Sequence, residues 1–263
     1  MMATRRGNVL SIESTSVQDY VKVLYTSTEW HGGAITASHL ATRLSVANSS
    51  VTGMVAKLVE LGLADHRKYG PISLTPAGLR LALAMVRRHR LIETFLVREL
   101  GYGWDEVHDE AELLEHSVSA AFIERLAAKL DHPSRDPHGD PIPTREGTVH
   151  YPAALRLDSL DEGHTGTLAR VSDDDPGVLR FLDRHGIALD DELLLGRRGA
   201  GSALELHVGA ATTPLPIDGM LAAALWIESS TPHPGCTVED GRAERGSISP
   251  TRVADASAPR LSP

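Results

Sequence analysis

Apolar residues recur every three to four positions along the N-terminal part of the chain. Beyond about residue 150 they give way to short apolar runs cut by Gly, Asp and Pro. Tyr20, Val21, Val23 and Leu24 share one side of a helix predicted from about Val17 to Thr28. Thr36 is a candidate N-cap for a second helix holding Leu40, Ala41 and Leu44. After the link Ser45-Val46-Ala47-Asn48, a third helix carries Val51, Met54, Val55, Leu58 and Leu61, and Gly62 ends it. Leu63 to Lys68, a Tyr69-Gly70-Pro71 turn and Ile72-Ser73-Leu74 then predict a strand, a tip and a strand.

Two closely joined helices followed by a hairpin with a basic tip describe a winged helix-turn-helix. A plain three-helix bundle with a surface hairpin is the alternative. Polar Asn48, Ser49, Ser50 and Thr52 crowd the start of the third helix, where a recognition helix meets base edges, and this favours the DNA-reading interpretation. Lys57 on that helix and Arg67 and Lys68 on the wing complete the candidate contacts, each of which could also be plain solvated surface. No Arg lies on the helix for a bidentate guanine contact, so phosphate contacts and DNA shape are expected to carry much of the recognition.

Thr75-Pro76 supplies N-cap and first helical position for a long helix through about Leu100, closed by Gly101. Trp104-Asp105 opens another, predicted to run to about Leu130, and the Pro- and Gly-rich stretch from Asp131 to Gly147 reads as a linker. Between residues 154 and 229 short strand patterns are interrupted by one helical pattern, Gly177 to His185, which suggests a small SH3-like β-barrel. The expected class is mainly α with a small β portion. Its divisions are a winged helix-turn-helix at 11–75, a helical domain at 76–147, an SH3-like domain at 148–229 and a disordered tail at 230–263.

Composition and charge refine this picture. The net charge of −9 is uneven: residues 1–100 hold 12 Lys and Arg against 7 Asp and Glu, leaving an acidic remainder. A basic head on an acidic body suits a DNA-reading module attached to a carboxylate-rich module. No apolar run is long enough to span a membrane and no secretory signal opens the chain, so the expected location is cytoplasmic. The single cysteine, Cys236, excludes an internal disulfide and any Cys-rich metal site.

The candidate chemistry lies between Arg87 and His116. His89 and Glu93 stand at i and i+4 on one helix, while His108, Glu112, Glu115 and His116 share a face of the next. Several carboxylates gathered on one face repel unless a cation offsets them. Spacing alone leaves both a metal site and a solvated helix face open.

The runs Arg87-Arg88-His89-Arg90-Leu91-Ile92-Glu93, Val107 to His116 and Pro137-His138-Gly139-Asp140-Pro141-Ile142-Pro143 resemble the diphtheria toxin repressor family. So does the order of winged helix, helical domain and SH3-like domain over residues 16–229. The resemblance implies a homodimer that binds palindromic double-stranded operator DNA when holding a divalent metal. Where the iron-responsive branch has methionine and cysteine, this chain has Asp19 and Glu112, so it is similar to the manganese transport regulators. Asp19, Glu112, Glu115 and His116 then form a hard donor set for Mn²⁺, with Fe²⁺ the alternative and other divalent transition metals able to bind in vitro. His89, Glu93 and His108 resemble the family's second site, which the SH3-like domain often completes; Asp173 is the expected ligand there. Asp173-Asp174-Asp175-Pro176 also reads as a helix cap and turn, and Arg170 falls near where the iron branch has a carboxylate. Lys22 occupies the position at which some short manganese regulators carry a second glutamate, which argues against a closely spaced binuclear site.

No His-Glu-x-x-His, nucleophile elbow or phosphate-cradling loop occurs, so an enzyme is not expected. An iron-dependent repressor of the same family is the nearer alternative; a metal hydrolase or a metal buffer without DNA binding is the more distant one. His31, His39, His66, His132, His138 and His150 read as surface or turn residues.

Overall fold

The computed structural model describes residues 14–30, 32–33, 35–67, 70–199, 204–211 and 213–229. The tail expected to be disordered, Cys236 and the wing residue Lys68 lie outside the described residues. The chain divides into two compact units, one formed by residues 1–152 with 170–189 and the other by residues 153–169 with 190–263.

In the first unit α1 (Thr15–Glu29), α2 (Ala37–Arg43) and α3 (Asn48–Glu60) precede a hairpin of β1 (Ala64–His66) and β2 (Ile72–Leu74), paired antiparallel with Asp65 opposite Ser73. Val17, Val21, Leu24, Leu40, Val51, Leu58 and Ile72 close one core beneath them. Thr36 caps α2 as its sequence position implies, accepting from the His39 amide at 3.2 Å. The turn into α3 passes through Ser45, a non-glycine residue at φ 52°. This is the helix-turn-helix with its wing.

The long helix α4 (Pro76–Leu100) begins and ends where its cap residues put it. Thr75 accepts from the Gly78 amide at 3.1 Å, and Gly101 takes φ 75° as the left-handed terminator. At Gly78 an added Cβ would stand 1.9 Å from the Leu63 carbonyl oxygen, so only glycine lets α4 start this close to the wing.

Two expectations fail beyond α4. The helix foreseen from Trp104 to Leu130 is two helices, α5 (Val107–Glu115) and α6 (Ala120–Lys129), because Ser119 starts a new N-cap that accepts from the Phe122 amide. The presumed linker is a packed segment: Ile142 joins the core of Leu91, Leu96, Val107, Ala111, Ile123 and Leu126. Asp136, His138 and Asp140 are also buried there. Polar residues flanked by Pro and Gly look like linker in sequence, but here buried partners satisfy them. His138, read as a surface residue, is 1% exposed. The last helix of this unit is α7 (Pro176–Arg184), capped by Asp175.

The second unit holds β3 (Ala154–Arg156), β5 (Glu192–Arg198), β6 (Leu204–Val208), β7 (Leu215–Ile217), β8 (Leu225–Glu228) and most of β4 (Thr165–Val171). A short helix, α8 (Gly219–Ala223), precedes the last strand. The strands form one sheet in the order β3-β8-β4-β5-β6-β7, over a core that includes Leu168, Leu193, Leu195, Leu204 and Leu206. The small β domain expected after the helices is therefore present, as an open sheet among the described residues.

Candidate metal centre and DNA-reading face

Three groups of potential donors gather in the first unit, and in each the donor atoms lie within 4.8 Å of one another. The first group joins α1 to the end of α5: Asp19 Oδ1 is 2.8 Å and Glu115 Oε1 3.4 Å from His116 Nε2. Gln18 Oε1 lies 2.9 Å from Nδ1 of that ring and fixes its orientation. Helical spacing explains the convergence, since Glu115 and His116 close α5 and Asp19 faces them from α1. Glu112, expected in this set, turns aside. Its Oε1 lies 3.3 Å from Lys22 Nζ and 3.6 Å from His108 Nε2.

The second group is His89, Glu93 and His108. Glu93 Oε1 stands 2.9 Å from His89 Nε2 and 3.3 Å from His108 Nδ1. Asp173 reaches the same imidazole, with its Oδ2 3.3 Å from His108 Nδ1. The i, i+4 pair on α4 thus meets α5, and the turn before α7 supplies the carboxylate. Arg170 points elsewhere, donating to Asp140 at 2.7 Å.

The third group, Glu93, Asp136 and His138, was not foreseen. His138 Nε2 donates to the Trp104 carbonyl at 2.7 Å, and Asp136 Oδ1 accepts from the amides of His138 and Asp140. The sequence signal for it is acids and an imidazole at alternate positions, Asp136, His138 and Asp140, among Pro133, Pro137 and Pro141. Nδ1 of His138 is buried with no hydrogen-bond partner. Burial works to lower the pKa of this ring, but Asp136 and Glu93 raise it. Its unpartnered nitrogen is therefore a place for positive charge, a proton or a metal ion, and leaving it unsatisfied costs about 1–3 kcal/mol.

Electrostatics tell the same story. Burial works to lower the His108 pKa, but hydrogen bonds to Asp173, Glu112 and Glu93 push it up to about 12. Glu112, hydrogen-bonded by His108 and facing Lys22, falls to about 2. Burial, with Asp140 and Glu93 nearby, pushes Asp136 up to about 8. Burial likewise raises the Asp19 carboxyl against the pull of His116 and Lys22. Negative charge is therefore in excess, and protons and the Lys22 ammonium balance it in the metal-free chain. Every donor is a carboxylate oxygen or an imidazole nitrogen, a set that fits a divalent ion of hard or borderline character.

A cavity of about 540 Å³ opens on the second group, lined among others by Lys22, Trp30, Arg43, His89, His108 and Asp173. On the head, Asn48, Ser49, Ser50 and Thr52 are all exposed along the first turns of α3, Lys57 is half-buried, and Arg67 is exposed on the wing. Thr52 spends its hydroxyl on the Asn48 carbonyl at 3.0 Å. The first turn of α3 thus offers polar groups to a groove, with no guanidinium among them.

Comparison with known proteins agrees with this arrangement. Residues 14–72 match the iron-dependent repressor N-terminal DNA-binding domain, and residues 75–144 match the metal-binding and dimerisation domain of the same repressors. Residues 155–229 match the FeoA domain. The iron-dependent repressor IdeR of Mycobacterium tuberculosis is 32% identical over 199 residues, covering 74% of this chain and 83% of its own length. The chain belongs to the iron-dependent repressor family. Another relative of this diphtheria toxin repressor family, the regulator MntR of Lysinibacillus sphaericus, is 38% identical over 112 residues, or 43% of this chain and 79% of MntR. A solved manganese-dependent transcriptional repressor in complex with manganese superposes with a TM-score of 0.78 at 46% identity, over 81% of this chain and 99% of that one. Members of the family are metal-dependent DNA-binding repressors rather than enzymes, and they dimerise through the domain matched at residues 75–144. Among the described residues no helix is long and apolar enough to cross a membrane.

Proposed function

We propose that this chain is a manganese-activated repressor that binds palindromic operator DNA as a homodimer in the cytoplasm and silences metal-uptake genes. The observation that carries the reading is the first donor group. Its oxygens and imidazole come from the head, through Asp19, and from the helical body, through Glu115 and His116. A divalent ion held there supplies the positive charge that these donors share. Asp19 then ties α1 to the end of α5 and sets the angle of the recognition helix. A two-fold dimer needs its two recognition helices at one fixed separation in successive major grooves. By linkage, DNA and ion raise each other's affinity by the same factor. The manganese assignment is supported by the absence of thiol and thioether donors from the group and by the likeness to a manganese-dependent repressor.

The remaining site assignments belong to the same reading. Glu112 is offered to the first group once Lys22 releases it. His89, Glu93, His108 and Asp173 hold a second ion, and Asp136 and His138 supply further donors around Glu93. Asn48, Ser49, Ser50, Thr52, Lys57, Arg67 and Lys68 face the duplex.

The test uses a duplex selected from a random-sequence pool by the Mn²⁺-loaded chain. Binding is titrated with Mn²⁺, and anaerobically with Fe²⁺, for wild type and Asp19→Met/Glu112→Cys. Activation of wild type by Mn²⁺ with a gain of Fe²⁺ response in the double variant supports both site and selectivity. Wild-type activation by Fe²⁺ alone favours the iron-dependent alternative, and DNA binding indifferent to both ions defeats the reading.

A further inference from the structure

Three consecutive aspartates stand between β4 and α7, and each has a different partner. Asp173 turns inward to His108 in the second donor group, with Oδ2 3.3 Å from Nδ1. Asp175 caps α7, accepting from the Gly177 amide at 2.8 Å. Asp174 between them turns the other way and pairs with the guanidinium of Arg43. Arg43 is the last residue of α2, two positions before the left-handed corner at Ser45 that leads into the recognition helix. One peptide unit therefore separates a carboxylate of the donor group from a carboxylate that holds the corner of the helix-turn-helix.

The turn is built to keep these two carboxylates in register. Ser172 donates its hydroxyl to Asp174 Oδ2 at 3.1 Å and accepts from the Asp174 amide at 3.4 Å. Upstream, the Val171 amide donates to the His138 carbonyl at 2.8 Å, so the segment is also tied to the third donor group. Downstream, Pro176 fixes the first helical position behind the Asp175 cap. Asp173 and Asp174 therefore belong to one hydrogen-bonded turn held at both ends.

We propose that the Asp174–Arg43 pair is the link through which the state of the second donor group is passed to the corner of the DNA-reading head. This rests on the reading of the chain as a metal-dependent repressor and adds a route distinct from the Asp19 tie. Drawing Asp173 and His108 onto one ion locks the turn, and the locked turn presents Asp174 to Arg43 in a single orientation. Both partners are partly exposed, with side chains 38% and 50% accessible. The pair is therefore weak, salt-sensitive and easily biased, as suits a coupling element better than a structural brace.

The measurement is amide hydrogen exchange of residues 43–51 in the full-length chain, with and without Mn²⁺, at low salt. The variants are wild type, Asp174→Asn, Arg43→Gln and the charge exchange Arg43→Asp/Asp174→Arg. Mn²⁺ stoichiometry, titrated separately, checks that each variant retains its sites. Mn²⁺ is expected to slow exchange at the wild-type corner about two- to fivefold, the range an exposed ion pair supplies. That Mn²⁺-dependent protection disappears in both single variants and returns in the exchanged pair. A wild-type corner indifferent to Mn²⁺, or one protected equally in Asp174→Asn, overturns the proposal. Either result leaves the repressor reading to its own duplex-binding test, which can succeed while this link fails.

Discussion

Nδ1 of His89 donates to Oε2 of Glu115 at 2.6 Å, so a residue of the first donor group orients an imidazole of the second. Outer partners of this kind fix ring orientation and strengthen the imidazole as a ligand, and their loss weakens metal binding about 10- to 100-fold. Glu115→Gln is therefore expected to abolish binding at the first group and to weaken the second by that factor. His108→Ala removes a donor of the second group and meets the first only through Glu112, so the Asp19, Glu115 and His116 donors remain and binding there is retained. Mn²⁺ titrations of the two variants resolve the two sites.

Proton release follows from the charge state of His108. Its pKa of about 12 means that the ring is charged at neutral pH in the metal-free chain, and ligation requires that proton to leave. Mn²⁺ binding should release protons and tighten as pH rises from about 6 to 8, measured by calorimetry in buffers of different ionisation heat. Stability of the metal-free chain moves in two windows. The raised His108 pKa contributes stability that is complete below its ordinary 6.5 and lost as pH climbs through about 12. The lowered Glu112 pKa contributes stability present above its ordinary 4.5 and lost as pH falls through about 2. A metal-free chain that loses stability as pH falls from 8 to 6 would contradict the His108 shift, and one that keeps its stability from pH 4.5 down to 2 would contradict that of Glu112.

Arg90 and Glu29 form a tie between α1 and α4, with Nη1 and Nη2 reaching the two carboxylate oxygens at 3.0 and 2.6 Å, and Nε of the same guanidinium stands 3.5 Å from Asp136 of the third donor group. Arg90 also donates to the Pro141 carbonyl at 2.6 Å. Glu29→Gln leaves the buried guanidinium short of its counter-charge and should cost about 3–5 kcal/mol in urea unfolding, with Mn²⁺ stoichiometry retained. A loss below 1 kcal/mol would mean that the network re-forms around Asp136 and Asp140.

For DNA binding, the lack of a guanidinium on α3 points to phosphate contacts and groove shape. Affinity for a selected duplex is expected to fall steeply with salt, and Arg67→Ala to reduce the slope of log K against log salt by about 1. A shallow slope with large losses at single base changes would instead assign recognition to base edges.

How far the sequence foretold this arrangement varies with the physics involved. Thr75, Pro76 and Gly101 delimit α4 because caps act through their own backbone neighbourhood, which sequence contains. The His89–Glu93 and Glu115–His116 relations were legible for the same reason, since helical spacing is local. The break at Ser119 was hidden because the apolar spacing carries on across it and only the cap geometry interrupts the helix. Asp136 and His138 were hidden because their burial depends on Arg90 and Trp104, distant in the chain. In the aspartate triplet the cap reading fits Asp175, which accepts from the Gly177 amide, while Asp173 lies against His108, beside the ligand set it was expected to join.

Lys22 has a consequence of its own. Its ammonium is 2.6 Å from Glu115 and 3.3 Å from Glu112, nearly enclosed, where carboxylates would otherwise repel one another. The chain thus carries a resident placeholder for the charge it is built to detect. Without an ion, Glu112 and Glu115 still share a cation between them, supplied by the chain itself.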